Sequence, residues 1–190
     1  MNNRYWMIGM LLIMAIICSS ALALVNILTA PIIEKNNEIK YMSTVLDVFG
    51  FAYDSKDSDA IIAKYNDAIK ESETDGISLF IDIASGSSAT SISGSGFQGP
   101  IEVIVAIDGD EISGFKVVSQ VETPGLGARI TEDEFQQSFV GKKVSDGISM
   151  SRTGNAGISE FDAITGATET SKSLESLLNK GFARYFEKVK

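Results

Sequence analysis

Apolar residues occur along this chain first as one long block and then in short periodic segments. The block covers residues 5–33, which contain no charged residue, and it exceeds the roughly 20 residues that a helix needs to cross the hydrocarbon core of a membrane. It therefore predicts a membrane-spanning helix. A cleaved signal peptide is the alternative, with residues 7–17 as its apolar region and Ala21-Leu22-Ala23 as its cleavage site. The apolar run beyond Ala23 is long for a signal peptide and favours the anchor.

Helical spacing continues beyond this block. Apolar residues after Pro31 recur three or four positions apart as far as Gly50, which predicts a stalk helix that continues the membrane span. A second helix is predicted over residues 57–70, with Asp57 or Ser58 as its N-cap. The apolar positions that indicate the two helices are Ile39, Met42, Val45, Leu46 and Phe49 in the first, and Ile61, Ile62, Tyr65 and Ile69 in the second.

Alternation of apolar and polar residues then predicts strands. Residues 76–84 alternate as one strand, and residues 101–107 and 112–118 form a hairpin around the turn Asp108-Gly109-Asp110. This acidic turn is not a calcium loop of the EF-hand kind, because the twelfth position counted from Asp108 is Ser119 rather than Glu. Residues 84–93 are rich in Ser and Gly and are predicted to form a flexible loop.

Two further patterns complete the chain. Pro124, Gly125 and Gly127 predict a turn whose backbone can approach a flat or bulky ligand, and a plain connection to the following segment is the alternative. The carboxy-terminal segment predicts an amphipathic helix. Its apolar stripe consists of Leu174, Leu177, Leu178, Phe182, Phe186 and Val189.

Charge and missing residue types narrow the function. The chain has 190 residues, 16 Lys+Arg and 25 Asp+Glu, for a net charge of −9, so it should repel nucleic acid rather than bind it. It has no histidine, and its one cysteine, Cys18, lies in the apolar block. Zinc sites, thiolate-bound iron–sulfur clusters and Ser–His–Asp or Cys–His catalysis are therefore disfavoured.

The charges that flank the apolar block predict its orientation. Arg4 lies on the amino-terminal side, whereas Glu34 and Lys35 cancel on the other side. The positive-inside rule then places the amino terminus in the cytoplasm and the large domain outside it.

A cluster of hydroxyl residues precedes the last helix. The sequence FDAITGATETSKS, residues 161–173, combines hydroxyls with the small pair Gly166-Ala167. Unpaired backbone N–H groups and the partial positive charge at a helix amino terminus favour phosphate, so a phosphate-bearing ligand is one interpretation. Ordinary N-capping is the other, although capping requires only one hydroxyl. The hydroxyl residues are Thr165, Thr168, Thr170, Ser171 and Ser173.

The motif DAITGATETS resembles the flavinylation motif of an FMN-binding domain that is shared by two membrane complexes, in the G subunit of the Rnf electron-transport complex and the C subunit of the sodium-pumping NADH:quinone oxidoreductase. The resemblance implies that a separate flavin transferase esterifies Thr168 with the phosphate of FMN. Asp162 then takes the acidic position of the motif and Thr165-Gly166-Ala167 its middle. It also implies that the remaining hydroxyls, among them Thr170 and Ser171, solvate the phosphodiester together with the helix start.

Two other segments carry the same resemblance. GSGFQGPIEVIVAID, residues 94–108, resembles the glycine-rich entry to the family's hairpin, and ETPGLGARI, residues 122–130, resembles its flavin-pocket segment. The similarity is strongest over residues 94–190 and weak over residues 36–93. Gln120 departs from the pattern, since many relatives have His there. The residues implied to contact FMN in the pocket segment are Glu122, Thr123, Pro124, Gly125, Leu126 and Gly127.

The resemblance implies an α+β fold, in which one transmembrane helix is followed by a single FMN-binding domain with an antiparallel sheet and packed helices. The expected divisions are an anchor at residues 1–33, a stalk and variable part at 34–93, and the FMN-binding core at 94–190. The implied function is a covalent-FMN electron carrier among the other subunits of an ion-translocating membrane complex. The short chain favours the Rnf branch. A membrane-anchored binding or sensor module without cofactor is the alternative from another class.

Overall fold

The computed structural model describes residues 2–74 and 77–189. It contains four α-helices, seven strands and a 3₁₀ helix within this described part. The helices are α1 Asn2–Val48, α2 Ser58–Ala68, α3 Asp133–Gln137 and α4 Thr168–Val189, and the 3₁₀ helix is Gly127–Thr131. The strands are β1 Ile69–Thr74, β2 Ile77–Asp82, β3 Ser88–Ser95, β4 Pro100–Asp108, β5 Glu111–Gln120, β6 Ser149–Ser151 and β7 Glu160–Asp162.

Helix α1 contributes to two compact units, which divide between Ile39 and Lys40. The large apolar side chains of residues 5–33 are exposed, and this helix is long and apolar enough, by length and composition, to cross a membrane. The stalk prediction is confirmed in the second unit, where Val45 and Leu46 are fully buried. The helix ends beside Gly50, whose φ of 73° is the left-handed conformation common after helix ends.

The prediction of a second helix is confirmed as α2. The Asp57 carboxylate caps it by accepting hydrogen bonds from the backbone N–H groups of Asp59 (2.9 Å) and Ala60 (3.3 Å). The helix ends at Ala68 rather than at Lys70, because β1 begins at Ile69. Strand β1 was not predicted from the sequence.

The five strands β1 to β5 form one antiparallel sheet in their sequence order. Strands β4 and β5 form the predicted hairpin: Asp108 pairs with Glu111, and Gly109 turns the chain with a φ of 65°. The strand predicted at residues 76–84 is β2, Ile77–Asp82, and Gly76 lies outside the described residues.

The prediction of a flexible loop at residues 84–93 is wrong for residues 88–93, because β3 begins at Ser88 and pairs with β4 along its whole length, whereas residues 84–87 form the turn before it. Close packing with α4 accounts for two glycines, one at the end of β3 and one on the helix. A Cβ atom at Gly94 would lie 3.2 Å from Leu177 Cδ1, and one at Gly181 would lie 2.5 Å from Ile92 Cδ1. The missing side chains therefore allow α4 to pack directly on β3.

Helix α4 covers the sheet with the predicted apolar stripe. Leu174, Leu178 and Phe182 are at most 1% exposed, whereas the side chain of Val189 lies outside the described part. Next to this stripe, the rings of Phe115 and Phe139 stack with their centroids 4.2 Å apart. This core fixes the amino terminus of α4 relative to the ends of β3 and β5.

Candidate functional site

The hydroxyl motif forms the entry to α4, as the sequence predicted. After β7 the chain turns at Gly166, whose φ is 84°, and α4 begins at Thr168. A Cβ atom at Gly166 would also lie 3.3 Å from Leu126 Cδ2. Glycine is therefore favoured at this position both by the backbone conformation and by the close approach of the loop that contains Leu126.

Two of the hydroxyls in the motif form hydrogen bonds within the protein. Ser171 is fully buried, and its Oγ accepts a hydrogen bond from Ile164 N (3.1 Å) and donates one to Ala167 O (3.1 Å). Thr170 Oγ1, also buried, donates to Glu122 Oε2 at 2.8 Å. The hydroxyl hydrogens of both residues therefore have acceptors that hold the helix entry in place.

Thr168 differs from these two neighbours. It is partly exposed, and within residues 2–74 and 77–189 no hydrogen bond joins its hydroxyl to another protein group. It lines a pocket of about 280 Å³. The walls of this pocket are formed by Phe97, Glu122, Thr123, Leu126 and residues 166–170. The structure thus brings the hydroxyl motif and the predicted flavin-pocket segment to one cavity.

Glu122 joins the three segments that form the pocket. Its carboxylate is 4% exposed. Oε1 accepts hydrogen bonds from the backbone N–H groups of Phe97 (2.7 Å) and Gln98 (3.0 Å), and Oε2 accepts the bond from Thr170. The sequence predicted Glu122 as a ligand-contacting residue, but these three bonds show that its carboxylate connects the β3–β4 turn, the loop after β5 and α4.

Two glycines make room for this carboxylate. A Cβ atom at Gly96 would lie 2.5 Å from Glu122 Oε1, and one at Gly127 would lie 2.5 Å from Thr170 Oγ1. Any larger residue at either position would displace the buried hydrogen bonds. Gln120, the departure from the family pattern, also supports the loop, since its side-chain oxygen accepts a hydrogen bond from Glu122 N at 2.6 Å.

The outer part of the pocket is apolar and exposed. Phe97 is 57% exposed and Leu126 is 45% exposed, and both line the cavity. Thr123 O accepts hydrogen bonds from the backbone N–H groups of Leu126 and Ala128, both at 3.1 Å. These two donors are therefore already hydrogen-bonded within the turn. Of the exposed turn residues Pro124 and Gly125, neither lines the cavity.

Asp162 lies on β7 and does not line the pocket. Its Oδ2 accepts a long hydrogen bond from Ala156 N (3.4 Å), whereas its Oδ1 is buried and has no hydrogen-bond partner among the described residues. Phe97, in contrast, lines the pocket although sequence reasoning did not select it. The signal was present, since Phe97 lies within the glycine-rich segment GSGFQG.

A known domain family matches the part of the chain that contains this pocket. Residues 96–183 match the FMN-binding domain family. The match includes Phe97, Glu122 and Thr168, and thus all three segments that form the pocket. The resemblance inferred from the motifs is thereby confirmed.

Curated relatives of the chain are named as subunits of ion-translocating or proton-translocating oxidoreductase complexes. The chain is 44% identical over 86 residues to the G subunit of the ion-translocating oxidoreductase complex of Methanosarcina acetivorans, and the match covers 44% of this chain and 43% of the relative. It is 37% identical over 95 residues to the G subunit of the proton-translocating ferredoxin:NAD(+) oxidoreductase complex of Clostridium ljungdahlii, covering 50% and 48%. The matches therefore span less than half the length of these relatives.

A solved structure shares the fold. The crystal structure of the C subunit of the Na(+)-translocating NADH-quinone reductase from Parabacteroides distasonis superimposes with a TM-score of 0.68 at 25% sequence identity. The superposition covers 82% of this chain and 94% of that one. The predicted α+β fold, with an antiparallel sheet and packed helices after a long apolar helix, is confirmed.

Proposed function

We propose that this protein is an electron-carrier subunit of a membrane-bound, ion-translocating oxidoreductase complex, and that it holds FMN through a phosphoester bond to Thr168. The observation that carries the proposal is the difference in hydrogen bonding among the hydroxyls at the start of α4. Thr170 and Ser171 are bonded within the protein, whereas the Thr168 hydroxyl has no partner in the described part and lines the pocket.

The residues around Thr168 fit a flavin phosphate. Thr168 is the first residue of α4, where unpaired backbone N–H groups and the helix dipole stabilise the negative charge of a phosphodiester. Gly166 lines the pocket without a side chain that would reduce its volume. The exposed apolar side chains of Phe97 and Leu126 suit a flat aromatic ring.

When bound, FMN supplies the redox chemistry, and the protein supplies binding and orientation. Glu122 and Thr170 both line the pocket, and their buried hydrogen bond holds its walls in position. A phosphoester bond would keep the cofactor attached on the outer side of a membrane, where lost FMN is not replaced. This agrees with the orientation that Arg4 predicts.

The names of the relatives support the G subunit of an Rnf-type complex as the nearest functional type, with the C subunit of the sodium-translocating quinone reductase as the alternative. In either case the partners would be the other subunits of the complex, and a separate flavin transferase would load Thr168. The apolar helix α1 would anchor the protein in the membrane as a single span.

The proposal is tested by the intact mass of the full chain, purified after co-expression with a flavin transferase. We expect the wild type to carry an increment of about 440 Da, as an esterified FMN adds, and Thr168→Val to lack it. Thr165→Val is the matched control, because Thr165 is an exposed threonine of the same motif and does not line the pocket.

Loss of the increment in Thr165→Val but not in Thr168→Val would move the attachment to the other threonine. A wild type without any increment would refute the covalent flavin and leave the cofactor-free binding module as the better account.

A further inference from the structure

A second concave site lies between β3 and α4, and we call it the β3–α4 groove. It has a volume of about 430 Å³ and is lined on one side by residues 90–96 and on the other by one face of α4. None of the described residues that line it is acidic, although the chain carries a net charge of −9. Lys172, Lys180 and Arg184 all line it.

The positive charge of this groove is largely uncompensated. Lys172 Nζ lies 2.7 Å from Glu169 Oε1, one turn earlier on α4. Lys180 and Arg184 are exposed, and neither forms an ion pair within the described part of the chain. Together with Ser176, the three cations occupy positions four residues apart on α4, so they follow one ridge of the helix.

The opposite wall offers backbone hydrogen-bonding groups. Strand β4 pairs with β3 from Ser88 to Ser95, whereas β2 pairs with β3 only from Ser88 to Thr90. On the side of residues 91–95 that faces away from β4, no strand is paired among the described residues. An unpaired strand edge of this kind is a template for a further strand.

We propose that the β3–α4 groove binds an extended acidic segment of a partner protein, which pairs with the open edge of β3 and directs its carboxylates at Lys172, Lys180 and Arg184. Charge complementarity selects an acidic partner. The shape selects an extended one, because the twelve steps from Lys172 to Arg184 span about 18 Å of helix. The six steps along the lining residues 90–96 of the strand side span a similar length, about 20 Å.

Two other anionic ligands fit less well. A single phosphate contacts one or two cations and leaves the open strand edge unused. A membrane surface is flat, whereas the floor of this groove lies beside Gly94 and Gly181, where the two elements pack closely. An extended chain uses both walls.

The groove also lies beside the candidate cofactor site, because Thr168 is four residues before Lys172 on the same helical ridge. An acidic segment bound there would bring its protein close to the residue proposed to carry FMN. The groove proposal goes beyond the proposed function and does not require it, since the binding needs neither FMN nor its transferase.

The test uses the full chain in a neutral detergent and a fluorescein-labelled peptide of four Glu-Val repeats, with binding followed by fluorescence anisotropy. We expect saturable binding that weakens about tenfold between roughly 20 and 200 mM NaCl, and binding at least about tenfold weaker for the matched Gln-Val peptide. The absence of saturable binding at millimolar protein, or equal binding of the two peptides, would overturn the proposal.

Charge reversal locates the binding site. We expect the double variant Lys180→Glu/Arg184→Glu to lower the affinity for the Glu-Val peptide at least about tenfold. Lys56→Glu/Arg152→Glu makes the same change in net charge at two exposed residues outside the groove and should bind as the wild type does. Equal loss in both double variants would show that only the net charge of the protein matters, which contradicts a site.

Competition distinguishes the remaining ligands. Unlabelled Glu-Val peptide should displace the labelled one, whereas inorganic phosphate or short-chain phosphatidylglycerol at the same concentration should not. Displacement by either of these as effective as that by the peptide would identify a small-anion or lipid site and overturn the proposal. Since none of these measurements involves FMN, they remain informative if the mass test of Thr168 fails.

Discussion

The candidate site depends most on a residue that need not touch the ligand. Glu122 is buried, and its carboxylate accepts three hydrogen bonds, from the backbone of Phe97 and Gln98 and from the Thr170 hydroxyl. A buried carboxylate with this many donors is strongly held, and removing it leaves all the donors without an acceptor. The pocket is thus held together by one side chain that connects three segments distant in the sequence.

Two replacements of this side chain test how much its hydrogen bonds stabilise the protein. We expect Glu122→Ala to lower the free energy of unfolding by about 3 kcal/mol and Glu122→Gln by only about 1 kcal/mol. The amide oxygen of Gln still accepts from the two backbone N–H groups, and its amide nitrogen donates to the Thr170 hydroxyl. Urea unfolding of the full chain in detergent, followed by circular dichroism, measures both values. A loss for Glu122→Ala of no more than about 1 kcal/mol would show that the hydrogen bonds contribute little. A loss of about 3 kcal/mol in both variants would show that the amide of Gln does not replace the carboxylate in these bonds.

At the scale of secondary-structure elements, the sequence predicted the turns, helix starts and helices that short sequence patterns determine. The hairpin around Gly109, the N-cap at Asp57 and the start of α4 at the hydroxyl motif were all found, because turn residues, caps and apolar spacing are local. Strand β3 was mistaken for a loop. Its Gly94 is explained by the distant helix that packs on it, through Leu177, and low complexity by itself does not reveal that contact.

The same limit applied to the site. Sequence similarity brought Thr168 and the segment around Leu126 together, and the structure places both at one pocket. The roles of Glu122 and Thr170 as bonded partners could not be predicted, because residues 48 positions apart carry no local signal of their contact. Phe97 was missed for a related reason, since one aromatic residue in a glycine-rich turn has no periodic pattern.

Substitution of Gly114 tests how tightly the carboxy-terminal end of α1 packs on the sheet. A Cβ atom at this position of β5 would lie 2.0 Å from the carbonyl oxygen of Val48. We expect Gly114→Ala to lower the free energy of unfolding by about 1–3 kcal/mol, although alanine is otherwise favoured over glycine in a strand. Ser113→Ala, at the exposed neighbouring residue, should change it by less than about 0.5 kcal/mol. Unfolding in urea measures both, and an unchanged or more stable Gly114→Ala would contradict this packing.

For the whole molecule, the distribution of charge has two separate consequences. All 25 acidic residues lie beyond the apolar block, in the same part of the chain where Lys172, Lys180 and Arg184 form a basic groove. A negative domain with a positive groove orients a charged partner during encounter. At the two ends of the apolar block, the predicted orientation depends on Arg4, because Glu34 and Lys35 cancel.

The topology that follows from Arg4 places the domain outside the cytoplasm, and cysteine labelling tests it. In a Cys18→Ser background, Ser55→Cys puts a single thiol at an exposed residue between α1 and α2. We expect a membrane-impermeant maleimide to label it in intact spheroplasts, as strongly as after lysis, because the positive-inside rule keeps Arg4 in the cytoplasm. Labelling that appears only after lysis would place the domain in the cytoplasm. A domain on that side would have free access to cytoplasmic FMN. Covalent attachment would then not be needed to keep FMN on the protein, even if the mass of the wild type showed the flavin.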